Sequence, residues 1–404
     1  MSALKYWIWL TTRKGMDSAC ALTVLDHFVT PERAYYADGE DYELLPLRPA
    51  AKAGLLDKNM TRVNEILGDC ERLGLRVMTF QDADYPERLR QLADPPMVLY
   101  IRGRAFRFDE EAAIGVVGAR EPSDYGKTWA QRFGMELAAS GVLVVSGIAE
   151  GIDACAVRGA LKGGGSVVSV LAGGVDVPFP PQHRYLFEDV AAAGALISEY
   201  PPGTPHKGHH FLRRNRILSG LCLGVLAVEC RPFGGTMSTV NHALDQNRDV
   251  FAVPGALDAP MSEGTNKLIQ QGAKLVTCAR DILEEYWDRY PGKLSGGRVL
   301  PPETVEERLS GEEEPHTAAA AKKQEEPEPQ KERIPRGEQK NRFTDDELSI
   351  LAALGSHVRA ADELVDLTQI PTRRVLSALT MLQVQGAVEE QPGRRFSALV
   401  ELED

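Results

Sequence analysis

One segment of the chain, residues 206–216, combines clustered positive charge with an aromatic ring. No acidic residue lies between Glu199 and Glu229. Guanidinium and ammonium groups neutralise phosphates, and an aromatic face offers a surface on which a base can stack. A solvated helix face, or arginines paired with internal carboxylates, is the alternative explanation. The composition favours binding of a polyanion, through Lys207, Phe211, Arg213, Arg214 and Arg216.

The chain as a whole is acidic, with a formal net charge of -12 over 404 residues and a pI near 5.3. Bulk attraction to nucleic acid is therefore excluded, and any such binding must come from a local patch. Part of the negative charge comes from residues 301–333, which contain ten Glu and only five Lys or Arg. A folded core with a concentrated basic stripe is compatible with this balance.

Three histidines in the basic segment, His206, His209 and His210, have no Cys and no convincing acidic partner beside them. We interpret them as polar loop residues rather than metal ligands. The cysteines form no C-x-x-C pair, which argues against zinc and against a disulfide framework. We expect no metal, no cofactor and reduced, mostly buried thiols at Cys20, Cys70, Cys155, Cys222, Cys230 and Cys278.

The N-terminal apolar run, residues 6–10, is five residues long and no cleavage site follows it. No apolar stretch approaches the length of about 20 residues that a membrane-spanning helix needs. We therefore expect a cytoplasmic protein.

Short loops of small residues follow four of the apolar runs. Small residues let backbone N–H groups approach an anion, and in an open parallel sheet such loops lie beyond the carboxyl ends of the strands, where ligands bind. A tight turn explains any one loop equally well, but together they predict a phosphate-binding groove. The loops are 118–120, 146–153, 172–176 and 233–236, with Gly118, Arg120, Ser146, Gly147, Gly234, Gly235 and Thr236 as candidate contacts.

The apolar runs alternate with helical patterns, which predicts a doubly wound, mostly parallel α/β sheet. Several runs are nearly continuous Val, Leu, Ile and Ala, as expected for strands that are covered by helices on both faces. A crossover helix is predicted over 125–139, after a Ser123 cap. The predicted strands are 97–101, 113–117, 142–145, 166–171, 195–198, 224–228, 250–253 and 274–276.

Composition divides the chain into four segments. Residues 1–105 predict a small, mainly helical domain, and 106–291 the α/β domain. Residues 292–341 have hardly any large apolar side chain and predict a disordered charged linker. Residues 342–404 predict a winged helix: a helix to Leu354 opened by a Thr344 and Glu347 capping box, helices over 360–367 and 371–384, and a hairpin of 388–390 and 395–399.

A collinear series of motifs resembles the bacterial DNA-processing protein A family, known as DprA or Smf. The resemblance implies an extended Rossmann-like domain that binds single-stranded DNA, forms a homodimer and loads the RecA recombinase during natural transformation. The motifs are GAR at 118–120, YG at 125–126, SGIAEGID at 146–153, GAL at 159–161, SEYPPG at 198–203, FLRRNRILSGL at 211–221, VEC at 228–230, GGTMST at 234–239, FAVPG at 251–255 and GTNKLIQQGA at 264–273.

The resemblance also assigns residues. It implies that Arg120 contacts phosphate beside the 146–147 loop, that Arg214, Asn215 and Arg216 line the same groove, and that Phe211 and Lys207 accompany them. The chain departs from the family where Val157 replaces a usual histidine and where Leu212 replaces a usual proline. Residues 10–18 also lack the glycines of a helix-hairpin-helix.

Two other functions are compatible with parts of the sequence. A G-G-x-x-x-T loop also resembles nucleotide phosphoribohydrolases, but residues 236–244 contain no Asp or Glu to carry a proton. The chain has no dinucleotide-binding or P-loop fingerprint, which disfavours a redox enzyme or an ATPase. The helix over 371–384, with Arg373 and Arg374 at its start and Arg394 and Arg395 on the wing, could instead read duplex DNA or contact a protein.

Overall fold

The computed structural model describes residues 3–294, 332–334, 343–355, 359–368, 370–385, 387–391 and 395–402. The chain divides into two compact units, Met1–Ala318 and Ala319–Asp404. In the described residues, no helix combines the length and the apolar character needed to cross a membrane. In the same residues, no group of three or more His, Cys, Asp or Glu side chains is arranged to hold a metal ion.

The first unit is built on a sheet of nine strands among the described residues, in the order β1-β2-β6-β5-β4-β3-β7-β8-β9. All neighbours from β6 to β9 are parallel, whereas β2 is antiparallel to both β1 and β6. The strands are β1 Arg76–Thr79, β2 Val98–Gly103, β3 Ala113–Val117, β4 Leu143–Ser146, β5 Val167–Val170, β6 Ala195–Ser198, β7 Gly224–Ala227, β8 Asp249–Ala252 and β9 Lys274–Leu275.

The described helices of the first unit precede the sheet, connect its strands or, in the case of the last one, follow β9. They are α1 Leu4–Thr12, α2 Ser18–Phe28, α3 Pro31–Tyr36, α4 Gly39–Glu43, α5 Pro49–Leu56, α6 Thr61–Arg72, α7 Glu87–Arg90, α8 Asp124–Ala139, α9 Ile152–Lys162, α10 Arg184–Ala193, α11 Gly208–Leu221, α12 Gly235–Asp245, α13 Glu263–Gln270 and α14 Ala279–Leu283.

Alternate residues of each central strand enter different cores, because successive strand side chains point to opposite faces. In β3, Ile114 and Val116 pack in the core that contains α8, α9 and α10, whereas Ala113 and Val117 pack in the core of α11, α12 and α13. Both faces of the parallel sheet are thus covered, which confirms the doubly wound α/β prediction.

The N-terminal helices share the core of the first face rather than forming a core of their own. Trp9 and Val24 belong to the same buried cluster as Tyr100 of β2 and Phe133 of α8. β1 was not predicted from the sequence; it pairs with β2 along the edge of the sheet.

In its described residues, the second unit has three helices, Asp345–Leu354, Ala361–Thr368 and Thr372–Val384, around one apolar core. The predicted capping box is present, since Thr344 Oγ1 accepts from the Glu347 N–H and the Glu347 carboxylate accepts from the Thr344 N–H.

A three-stranded sheet completes the second unit, in the order Arg359–Ala360, Arg395–Ala398 and Val388–Gln391. The hairpin turn with Arg394, at 392–394, lies outside the described residues. Glu332–Ile334, within the segment predicted as a linker, pairs in parallel with Val400–Leu402. The rest of that segment beyond residue 294 also lies outside the described residues.

Candidate nucleic-acid interface

The four small-residue loops lie at one edge of the sheet. Each follows one of the parallel strands β3, β4, β5 and β7, whose carboxyl ends share that edge. The chain adds β4, β5 and β6 on one side of β3 and then β7 on the other. Such a reversal opens a crevice beyond the strand ends, where ligands of doubly wound sheets bind.

Arg214 lies at the floor of this crevice, almost fully buried. Its Nη1 donates to the Val170 carbonyl and, over 3.3 Å, to the Gly147 carbonyl. A Cβ at Gly147 would lie 2.5 Å from both Arg214 Nη1 and Asp153 Oδ2. Position 147 therefore needs glycine, because the Arg214 guanidinium and the Asp153 carboxylate occupy the space that a side chain would fill.

Asp153 is a buried carboxylate that the sequence analysis included in a loop but did not single out. It is 6% exposed, in the first turn of α9. Burial raises its pKa to about 6, although the positive charges of Arg214 and Arg120 and the N–H groups of Gly147 and Ala149 act in the opposite direction. Burial also lowers the pKa of Arg214, against the attraction of Asp153. The two groups form a buried, partly compensated charge pair.

Two further predicted residues connect elements beneath the crevice. Asn215 Oδ1 accepts from Arg214 Nε over 3.2 Å, and its Nδ2 donates to the Gly235 carbonyl over 3.2 Å. Ser146 Oγ is fully buried and donates to the Val116 carbonyl over 2.8 Å. The Asn215 side chain thus joins α11 to the start of α12, and the Ser146 side chain joins β4 to β3.

Arg216 is also buried, at 2% exposed, and faces carboxylates that are distant in sequence. Its Nε donates to Asp94 Oδ2 over 2.7 Å, and its Nη2 to Glu199 Oε2 over 2.8 Å. Arg213, which is half-exposed, has its Nε 3.3 Å from Glu199 Oε1. The segment has no acid within it, but folding brings two to it. Arg216 thus fits the alternative explanation, in which arginines of this segment pair with carboxylates of the protein. A contact between Arg216 and a ligand stays a prediction.

The exposed wall of the crevice carries aromatic rings and a free guanidinium. The Arg120 Cζ lies 5.1 Å from the centroid of the Phe211 ring. Phe179, which sequence reasoning missed, has its ring centroid 5.5 Å from Phe211 and stacks on His206 at 4.9 Å. Among the described residues, no carboxylate lies within ion-pairing distance of Arg120.

The remaining predicted residues line open surface. Lys207 is exposed and immediately precedes α11. Gly234, with φ of +126°, caps α12 without a side-chain hydrogen bond, and a Cβ at Gly234 or Gly235 would meet nothing within 4 Å. Thr236 follows in the first turn and is half-buried. The amino end of α12, where helix N–H groups lack internal acceptors, is therefore accessible.

Glu229 fixes the loop that carries Arg120, and it too was missed as a site residue. Its buried carboxylate accepts from the Ser123 N–H at 2.9 Å and from Ser123 Oγ at 2.6 Å, and its carbonyl accepts from the Ala119 N–H at 2.7 Å. A Cβ at Gly126 would overlap with Glu229 Oε2. The end of β7 therefore holds the turn from β3 into α8. Gly118 supports the same turn, since a Cβ there would collide with Ile152.

The fold and this edge define a Rossmann-like α/β protein with an appended winged helix. The chain belongs to the DNA recombination-mediator protein A family, whose model matches residues 76–287. The DprA winged helix domain matches residues 318–394. This confirms the family that the motif series suggested.

Relatives match over much or nearly all of the chain. Protein Smf of Synechocystis is 31% identical over 97% of this chain and 98% of its own length. The DNA processing protein DprA of Bacillus subtilis is 36% identical over 60% of this chain and 82% of its own. The X-ray structure of DprA from Streptococcus pneumoniae covers 70% of this chain and 97% of that chain, with a TM-score of 0.62 and 29% identity.

Proposed function

We propose that the crevice binds single-stranded DNA and that the protein is a non-catalytic recombination mediator. The observation that carries this proposal is the pair formed by Arg120 and Phe211: a guanidinium that has no carboxylate partner among the described residues lies over an aromatic ring. Phosphate neutralisation and base stacking are the two interactions that single strands offer together. A duplex keeps its bases stacked inside and would leave the ring unused.

The groove residues divide into two roles. Arg120, Lys207 and Arg213 are the exposed cations that contact phosphates, and Phe211 stacks a base. Arg214 lies beneath them with both carbonyl partners fixed, so it contributes a positive field without moving. Backbone N–H groups bind phosphate oxygens where glycine allows close approach, at the open positions Gly234 and Gly235, whereas the N–H of the buried Gly147 already interacts with Asp153.

The family supplies the wider role. The relatives are DNA processing proteins, and the family description is that of a recombination mediator. We therefore extend the proposal to a cytoplasmic homodimer that holds single-stranded DNA and loads the RecA recombinase onto it during natural transformation. The DNA groove is the first part to test, because RecA loading depends on it.

The test is fluorescence-polarisation binding of a labelled oligo(dT) of about 20 nucleotides across a salt series. The three exposed cations of the groove contribute about -2 to the log-log salt slope on single strands. Arg120→Ala should weaken binding and flatten the slope, whereas Phe211→Ala should weaken binding and leave the slope unchanged. Absence of binding by folded wild-type protein refutes the proposal.

A nucleotide-cleaving enzyme is the second candidate, and Asp153 is the observation that favours it. A carboxylate with its pKa raised to about 6 by burial is suited to proton transfer near neutral pH. Incubation with nucleoside monophosphates, followed by chromatography for free base, tests this candidate. Release of base by wild type and not by Asp153→Asn would favour the enzyme; no release would favour the mediator.

A further inference from the structure

A second basic site lies next to the groove. A hollow of about 420 Å³ opens between the start of α8 and the first turns of α9, and Arg120 forms part of its wall. Lys127, Arg158 and His183 also line it, whereas Glu121 is its one carboxylate among the described residues. Three permanent cations around one hollow contrast with the net charge of -12 of the whole chain.

The cations of the hollow are largely uncompensated. Among the described residues, neither Arg120 nor Arg158 lies within ion-pairing distance of a carboxylate, and both are exposed. Lys127 pairs with Asp124 at 2.9 Å, but that carboxylate is fully solvated and the pair is worth little. His183 has a buried Nδ1 without a hydrogen-bond partner, and burial lowers the pKa of its imidazole. The hollow therefore presents positive charge that the neighbouring carboxylates neutralise only in part.

The lining also indicates which part of a ligand it suits. No Phe, Tyr or Trp from the described residues lines the hollow, and its one ring, the imidazole of His183, is half-buried, so the hollow suits a phosphate better than a base. The backbone of Arg120 rests on Gly151, where a Cβ would overlap with the Arg120 carbonyl oxygen. Arg120 is thus shared by the groove and the hollow. Its guanidinium lies over the Phe211 ring in the groove, and Arg120 also forms part of the wall of the hollow.

We propose that this hollow binds the phosphodiester backbone of the same DNA strand after the strand has left the groove. The inference rests on the proposed function and extends it. The groove binds a base and the phosphates next to it. Further along the strand, phosphates contact Arg158 and Lys127 in the hollow. Strand length then becomes a determinant of affinity, because only a longer strand reaches both places.

The test compares wild type with Lys127→Ala/Arg158→Ala on a series of labelled oligo(dT) from about 4 to about 20 nucleotides, which spans the usual single-strand site sizes of about 4–16 nucleotides. Both residues are exposed, so the fold should be retained. Arg62→Ala/Arg72→Ala is the matched control, because it removes two exposed cations of α6, each of which forms an exposed i,i+3 ion pair as Lys127 does.

The double variant should match wild type on the shortest oligonucleotides that bind and should bind the longest ones more weakly. Its salt slope on the longest should be smaller by about 1.4, because each phosphate that is no longer neutralised reduces the slope by about 0.7. Equal affinity at every length, an equal loss at every length, or the same loss in the control variant overturns the inference and leaves the groove intact. Absence of wild-type binding at all lengths instead refutes the proposed function.

Discussion

Asp153→Asn changes the charge of the groove with little change in shape. Burial raises the pKa of the Asp153 carboxyl from 3.8 to about 6. At about 1.4 kcal/mol per pKa unit, this difference corresponds to about 3 kcal/mol of folding free energy. Because the native state holds the proton more tightly than the unfolded chain, this contribution stabilises the fold below about pH 4. It is lost as the pH rises to about 6.

The amide cannot ionise, so Asp153→Asn should remove this part of the pH dependence. Urea unfolding at several pH values from 4.5 to 7.5 measures it in both proteins, as the change in midpoint. The wild type should lose about 2 kcal/mol of stability across this window relative to the variant, because the part of the loss between pH 3.8 and 4.5 lies below it. Parallel pH profiles for the two proteins would refute the reasoning.

The same substitution has a consequence for DNA. Protonation of Asp153 leaves Arg214 and Arg120 without a nearby negative charge, so wild-type affinity for oligo(dT) should rise as the pH falls through about 6. At pH 7.5 Asp153→Asn should bind more tightly than wild type, and this difference should narrow when both proteins are measured at pH 5.5. His206 and His210, whose pKa values are lowered by burial, are present in both proteins. They therefore cancel in the comparison.

Three other substitutions test separate contacts. Arg216→Ala should destabilise the first unit by about 3 kcal/mol, because it leaves the buried Glu199 carboxylate with only the half-exposed Arg213 as a partner; chemical denaturation measures this, and a loss below about 1 kcal/mol would contradict it. Phe211→Ala should cost about 1–3 kcal/mol of oligo(dT) affinity at constant stability, measured by polarisation beside a thermal melt. Gly126→Ala should push Glu229 off Ser123 and weaken DNA binding through the displaced Arg120 loop; unchanged affinity in a folded variant would disprove this coupling.

The strands of the central sheet could be predicted closely because strands that are buried on both faces appear in the sequence as short, nearly continuous apolar runs. The predictions over 113–117 and 195–198 coincide with β3 and β6 residue for residue, and the others differ by one or two residues. The Ser123 cap was also predicted correctly, since Ser123 Oγ accepts from the Gly126 N–H. β1 was missed because it is a four-residue edge strand with only two buried positions, too short for a clear period.

The partners of the site residues could not be predicted. Asp94 precedes Arg216 by 122 residues, and nothing local indicates that the two meet. Glu229 reaches Ser123 across 106 residues, and only the proximity of β3 and β7 explains the contact. A sequence supplies the types of charge in a groove, whereas the tertiary fold decides which of them are already satisfied.

The buried cluster that unites Trp9, Tyr100 and Phe133 has a practical consequence for dissecting the molecule. Composition places a border near residue 105, and a shortened chain that starts there looks like an independent DNA-binding module. Such a chain would lose β1 and β2 and would uncover the β6 edge, together with the apolar surface that the first helices now cover. If the shortened protein aggregates or fails to bind DNA, the cause is the loss of the shared core. Such a result is therefore no evidence that the N-terminal residues contact DNA.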